Sequence, residues 1–276
     1  MANSLAYNGL DLAGSSYGVT VNRGFGMPCM SQPKLHQQDI PQAFGGVTRG
    51  GRGGALVIPV PVIVEGTSFA NLLVKIDNLN HVMAPEDGDK SIKFDWMTDR
   101  YWLGRLQDQI QAPIIGQRSI STTFNFICAD PNAYASTEVA TSPATDLETS
   151  DPLTVNEPAT GTVLGNVEAY PVYLFRNTSG SALTSVTLTN TTRSEAIKVN
   201  YALPDDEWLR IDSANELIEE SSDNSTFNLI MLRRDDTLKT FPLLSPRVQN
   251  VFTVAGFGTS SDSGTLIITY RPRYRG

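Results

Sequence analysis

The sequence predicts a mainly β chain of two domains: an α+β domain with one packed helix, then an antiparallel β-sandwich. Three observations carry this. Between Ile58 and Arg105 the apolar residues change period twice, from two to helical and back to two. Beyond residue 163, short alternating runs follow one another between turn clusters, with no helical period among them. Charged residues are 18% of the chain, against about 25% in an average domain, so polar uncharged side chains must cover much of the surface, which suits strands and loops. A length of 276 residues at roughly 150 per domain gives two domains, each large enough for its own core.

In order, Leu5 to Leu12 and Tyr17 to Val21 read as two short strands joined by Ala13-Gly14-Ser15-Ser16. Residues 22–56 are broken by glycines, and Lys34 to Ile40 is their one plausible strand; long irregular stretches are often functional arms. Gly45 to Gly54 ends in no Gly-Lys-Ser/Thr and precedes a strand, so it reads as a flexible loop carrying Arg49 and Arg52 and not as a phosphate loop. Val60, Val62 and Val64 alternate in an extended run that Pro59 and Pro61 confine to a sheet edge or a bulge. From Phe69 to Met83, Phe69, Leu72, Leu73, Ile76, Leu79 and Met83 share one helical face, Asn71, Lys75 and Asn78 point away, and Thr67 or Ser68 supplies the cap. So short a helix needs a sheet to lie against. A turn at 85–89 leads to a strand with Ile92, Phe94 and Trp96 on one face, then to a second beginning at Asp99-Arg100-Tyr101-Trp102. Residues 107–118 read as a protruding arm containing Ile110, Pro113, Ile114 and Ile115, and Ser119 to Cys128 as a half-buried strand that closes the first domain.

The domains are placed at 1–135 and 163–276, with 136–162 a Thr/Ser/Pro-rich linker or exposed loop whose acids, Glu138, Asp146, Glu148, Asp151 and Glu157, repel one another in solvent. Strands are then expected at 167–177, 183–189, 196–201, 207–212, 216–219, 227–232, 251–254 and 265–270, with Asp205-Asp206-Glu207 and Asp235-Asp236 as turns.

The residues offer little chemistry. A net charge of −8 argues against a general nucleic-acid binder, since phosphate binding draws on clustered Lys and Arg. No basic-then-apolar leader opens the chain, and the longest apolar run, Ala55 to Val64, is too short for a membrane span; a soluble protein made in a cytoplasm is expected. Cys29 and Cys128 are read as reduced thiols outside any metal pattern. His36 and His81 have no nucleophile motif beside them, and Asp87-Gly88-Asp89 lacks the further acids of a calcium loop, so neither an enzyme nor a bound metal or cofactor is expected. Sequons at Asn177, Asn190 and Asn224 carry no weight without a secretory leader. Trp208 reads as core, with sugar stacking the alternative. The basic tail holding Arg271 and Arg273 reads as an interface or solubility feature and not as a nucleic-acid arm.

The pieces Tyr7-Asn8-Gly9-Leu10-Asp11-Leu12, Tyr17-Gly18-Val19, Asp87-Gly88, Phe94-Asp95, Asp99-Arg100-Tyr101-Trp102 and Cys128-Ala129-Asp130-Pro131, in this order and spacing, resemble the N-terminal domain of the distal tail protein (Dit) of long-tailed bacteriophages. Glu168-Ala169-Tyr170-Pro171, Trp208-Leu209-Arg210-Ile211-Asp212, Phe241-Pro242-Leu243-Leu244 and Asn250-Val251-Phe252 extend the resemblance to that family's galectin-like second domain. It implies a non-enzymatic virion protein of the tail tip, whose first domain forms a hexameric ring and whose second projects as a docking platform. The partners implied are further copies of the chain, the tail tube protein and tail-tip hub or receptor-binding proteins, with DNA only as cargo through the channel. Arg49, Arg52, Pro59, Pro61, Ile110, Ile114 and Ile115 are the candidates for the ring interface, with Arg49 and Arg52 at a subunit boundary or the channel. Trp208, Arg271 and Arg273 are the candidates for docking or weak sugar contact. A carbohydrate-binding module for host glycans is the alternative function, although both histidines lie in the first domain, so a standard galectin sugar site is absent.

Overall fold

The computed structural model describes residues 4–22, 26, 33–39, 46–107, 110, 113, 115–141, 153–155, 164–255 and 264–275, with 33–39, 46–53 and 153–155 described by backbone alone. The chain divides into two compact units, Met1–Ser136 with Arg275–Gly276, and Thr137–Tyr274. Its described residues are mainly β with a single α-helix, as the alternating runs require.

The strands of the first unit are β1 (Leu5–Tyr7), β2 (Leu10–Asp11), β3 (Val19–Val21), β4 (Pro33–Asp39), β5 (Gly46–Gly53), β6 (Leu56–Glu65), β7 (Lys90–Phe94), β8 (Arg100–Leu106), β9 (Ser119–Cys128) and β10 (Asn132–Ala135). One antiparallel sheet runs in the order β2-β1-β7-β8-β9-β6-β3, with β10 paired to β8. Its ends meet at Leu12, whose N–H donates to the Leu5 carbonyl and whose carbonyl accepts from Val19 N–H. The expected single strand Leu5 to Leu12 is two strands, because Asn8 (φ 52°) and Gly9 (φ 76°) form a left-handed turn of the kind that joins tight hairpins. The expected loop Gly45 to Gly54 is largely strand: β5 pairs with β4 in a two-stranded sheet with a register shift beside His36, so pairing overrides the low strand propensity of glycine.

The helix α1 (Phe69–Val82) starts at Ser68, whose side-chain oxygen accepts from Asn71 N–H at 3.1 Å, while Asn71 Oδ1 accepts from Thr67 N–H. It buries Leu72, Ile76 and Leu79, and Met83 beyond its end, whereas Leu73 lies at the rim. Each such side chain contributes roughly 1.5–3 kcal/mol against exposure, enough to hold a helix that is marginal in isolation. Gly66 makes the approach possible, since a Cβ there would lie 2.6 Å from the Leu72 nitrogen. Beneath the helix, Leu56, Ile58, Val60, Val62 and Val64 of β6 join Phe124, Phe126 and Cys128 of β9 in the core.

The second unit stacks two antiparallel sheets. The first orders β11 (Val139–Ala140), β21 (Gly264–Tyr270), β13 (Val172–Asn177), β16 (Trp208–Asp212), β17 (Leu217–Ser221) and β18 (Asn228–Leu229); the second orders β12 (Leu153–Val155), β20 (Asn250–Ala255), β14 (Val186–Asn190), β15 (Glu195–Val199) and β19 (Arg234–Lys239). The strand β22 (Arg273–Arg275) ends the chain's regular structure. Alternation sends Tyr173, Phe175, Leu209, Ile211, Leu266 and Ile268 inward from one sheet and Leu188, Ile197, Val199, Phe252 and Val254 from the other. Tyr173 and Phe252 meet edge-to-face at 5.5 Å across the interior. Asp235-Asp236, expected as a turn, lies within β19, where the Asp235 carboxylate accepts from Thr237 and Leu238 N–H at a bulged pairing with β15. Val139–Ala140 and Leu153–Val155, both inside the Thr/Ser/Pro-rich segment, are strands.

Candidate interaction surfaces

The β6 strand is open only in part. Its residues 62–64 pair with β3 and its whole length pairs with β9. Gly18 accepts from Glu65 N–H and Pro61 from Asn22 N–H, which fixes the odd-numbered backbone groups of β6 on the β3 side. Pro59 and Pro61 therefore point their missing N–H groups away from β9, leaving that ladder intact. Beyond Asn22 the described residues place nothing against Val57 and Pro59, and Val57 is 42% exposed. Among the described residues the prolines thus mark a half-edge with no strand partner on an otherwise internal strand.

Ile110 is half-buried and Ile115 is 89% exposed, whereas Ile114 lies outside the described residues. Arg49 and Arg52 sit on β5, with side chains outside the described residues. Within residues 22–53 of the glycine-broken stretch, the structure describes Asn22, Gly26 and the β4–β5 pair. On the outward side of β1, β7 and β8 lies an open groove of about 640 Å³, lined by Ala6, Asn8, Ser91, Lys93, Tyr101 and Leu103, with Asp89 and Lys90 at its rim. Arg105 donates to Asp89 at 2.7 Å. No single sequence signal marks this groove, because its residues come from three strands.

Beneath that face, the core holds groups that solvent chemistry does not reach. Burial, helped by Asp89 and Asp130, pushes the Cys128 thiol up to about 12, so the thiolate does not form near neutrality. The Tyr7 hydroxyl is raised mainly by burial and also by Asp89. Among the described residues neither it nor Trp102 Nε1 has a hydrogen-bond partner.

The second unit places its candidate residues differently from the expectation. Trp208 is half-buried on the outward face of β16, not in the core, and the Arg176 guanidinium lies 5.4 Å from its ring centroid while pairing with Asp206 at 3.0 Å. A sugar stacking on that ring would have to displace the arginine. Arg273, expected at a docking surface, is 6% exposed, donates to the Glu168 carbonyl at 2.8 Å and covers the Tyr170 ring at 4.5 Å; it packs the sandwich. Arg271 is paired with Glu138 at 3.0 Å. Arg193 bridges Glu195, Glu168 and Ser245; burial opposes its charge, but its bonds to the two carboxylates outweigh that and raise its pKa. Two sequon asparagines are fully buried: Asn177 Nδ2 donates to the Ser181, Leu203 and Pro204 carbonyls, and Asn190 Nδ2 to Leu243. Leu232, which the sequence placed in a strand, is wholly exposed on a 3-10 turn after β18. Among the described residues no three His, Cys, Asp or Glu side chains are grouped to hold a metal ion, and no helix is long and apolar enough to cross a membrane.

No protein-family model and no curated protein matches the sequence. Solved structures do. The phage SPP1 Dit protein, described as a paradigm of the hub adsorption apparatus in phages infecting Gram-positive bacteria, aligns over 99% of this chain and 99% of its own, with a TM-score of 0.72 and 20% identity. This chain has the Dit fold. Chains of the phage P2 baseplate in its activated conformation, solved with Ca and with Sr, cover 98% and 97% of this chain and as much of their own, at TM-scores of 0.56 and 0.55 and 10% identity. The Dit fold accounts for the order of elements in both units: the helix following β6 in the first and the two-sheet sandwich in the second.

Proposed function

We propose that this chain is a structural protein of a phage tail tip that closes six copies into a hub ring, joining the tail tube to the host-adsorption apparatus. The observation that carries it is the match to a Dit protein over 99% of both chains, which takes in both units and their order. A ring of copies needs one surface of each to meet a different surface of the next, with a rotation that closes. The half-edge at Val57 and Pro59, the exposed Ile115 and Ile110 beside it in sequence, and the β4–β5 pair with Arg49 and Arg52 are the surfaces available for that contact. At the half-edge the contact is side-chain packing, because the prolines withhold backbone donors. The first domain, 1–135, makes the ring, and the second, 163–276, presents a platform to receptor-binding or tail-tip proteins, with DNA passing as cargo. The role is one of geometry and not of catalysis, and the particle belongs to the virion after synthesis in a host cytoplasm. Occupation of the Trp208 ring face by Arg176 favours this reading over glycan recognition.

Light scattering after gel filtration, with negative-stain microscopy of the peak, tests the proposal. Particles of six chains, or of twelve as two rings, are expected. A monomer that stays monomeric when the neighbouring tail proteins are added would overturn it.

A further inference from the structure

We infer that the groove on β1, β7 and β8 is a receptor for an acidic segment, and that its occupant is residues 146–151, ahead of β12, of a second copy of the chain. The inference rests on the ring of copies proposed above. Lys93 lines the groove and Lys90 its rim, and among the described residues neither forms an ion pair or a hydrogen bond. The nearby acid, Asp89, is neutralised by Arg105. The groove is thus a cationic place on a chain of net charge −8.

The complementary charge is on the same chain. From Ser119 to Phe175 there is no Lys, Arg or His, while Asp130, Glu138, Asp146, Glu148, Asp151, Glu157 and Glu168 all fall there. Glu138 and Glu168 are held by Arg271 and Arg193. That leaves Asp146, Glu148 and Asp151 as the dense acidic run, with Glu157 beyond β12. Asp146 and Glu148 are two apart, so an extended backbone carries both carboxylates on one face, with Leu147 on the other. Asn8 and Ser91 offer polar partners, and Tyr101 and Leu103 an apolar floor, which suits a strand of mixed acidic and apolar character. Between copies, such a contact fixes the order in which subunits join, because opposite charges steer encounter and like charges resist the wrong face.

The test uses the full chain and a labelled peptide of residues 143–152. The chain carrying D146N, E148Q and D151N, freed of its own competing acids, is expected to bind the peptide saturably, and about tenfold less tightly once K90E and K93E are added, as reversal of two exposed ion pairs predicts, with binding weakening as salt rises. No saturable binding, or the same affinity with and without K90E and K93E, overturns the groove. For the second copy, sedimentation of the D146N/E148Q/D151N chain and of the K90E/K93E chain should each show less assembly than wild type, and an equimolar mixture should regain part of it. A mixture that regains nothing although the peptide binds overturns the second copy as occupant. A wild-type chain that is monomeric throughout overturns the ring and the second copy together, and the peptide titration still decides the groove.

Discussion

The two units treat their buried neutral polar groups differently. The sandwich ties its buried amides and a tyrosine hydroxyl to carbonyls, although Arg176 Nε is buried there with no partner among the described residues. Asn177, Asn190 and Asn250, all fully buried, tie loop carbonyls together, with Asn250 Oδ1 accepting from Ser245 N–H and its Nδ2 donating to the Ser245 and Val248 carbonyls. Tyr173, also buried, donates its hydroxyl to the Pro242 carbonyl at 3.0 Å. In the first unit Tyr7 stacks on Phe126 and Trp102 meets Phe94 edge-on, and among the described residues neither the hydroxyl nor the indole N–H has a hydrogen-bond partner. Its order comes from shape: the helix over β6, and the stacked rings of Tyr7 and Phe126 at 5.6 Å. The difference teaches that apolar period encodes one unit and buried amides the corners of the other, so the two should fail under different substitutions.

The largest effect is expected from Ile76→Asp, which puts an unpaired charge in the first core at a cost of more than about 4 kcal/mol. That unit should unfold while the sandwich's Trp208 signal, read in a W96F/W102F background, stays native; a folded first unit would sink the helix packing described above. Asn177→Ala should cost the sandwich about 2 kcal/mol, because the two amide protons shared among the Ser181, Leu203 and Pro204 carbonyls are lost, while those carbonyls keep Ser179 Oγ, Leu183 N–H and Glu207 N–H as donors. Urea unfolding followed by Trp208 fluorescence measures it, and a loss below about 1 kcal/mol would mean that water replaces the amide. The smallest effect is the sharpest. Tyr173→Phe should destabilise by about 1 kcal/mol, whereas Tyr7→Phe should be neutral or stabilising by up to about 1 kcal/mol, since only the first hydroxyl has a partner to lose. Entry of a thiol reagent to Cys128 in a C29S background reports the first unit. It should be done near pH 8, since deprotonation favours the unfolded state between its ordinary thiol pKa and about 12, and stability in the first unit falls as pH rises through that window. Equal costs in the two units would erase the contrast.

Much of the first unit was legible because its signals are local. The 3.6-residue period placed α1, Ser68 was one of two proposed caps, and the face Phe124, Phe126 and Cys128 of β9 is buried as its alternation requires. The errors have physical causes. The pattern from Leu5 to Leu12 reads as one strand, although Asn8 and Gly9 adopt positive φ; the glycines of Gly45 to Gly54 read as loop, although pairing with β4 makes the stretch largely strand. In the sandwich, Asn177 and Asn190 look like turn residues and are anchors, because what they bind lies far along the chain. Arg273 looked like a surface cation for the same reason: the Glu168 carbonyl that buries it is 105 residues away. Of the candidate surfaces, Ile115 and the proline-marked stretch carry sequence signals, although residues 62–64 of that stretch are paired on both sides, and the groove carries none.

That half-edge bears on how a chain of this kind survives being crowded. Proteins that assemble at high local concentration risk runaway cross-β growth, in which one exposed strand templates the next. Along Val57 to Pro61 the open backbone offers Val57 N–H as its one donor, so an incoming strand would find almost nothing to satisfy its own carbonyls. Two prolines thereby guard against fibrils while leaving the exposed side chains of Val57 and Pro59 to pack.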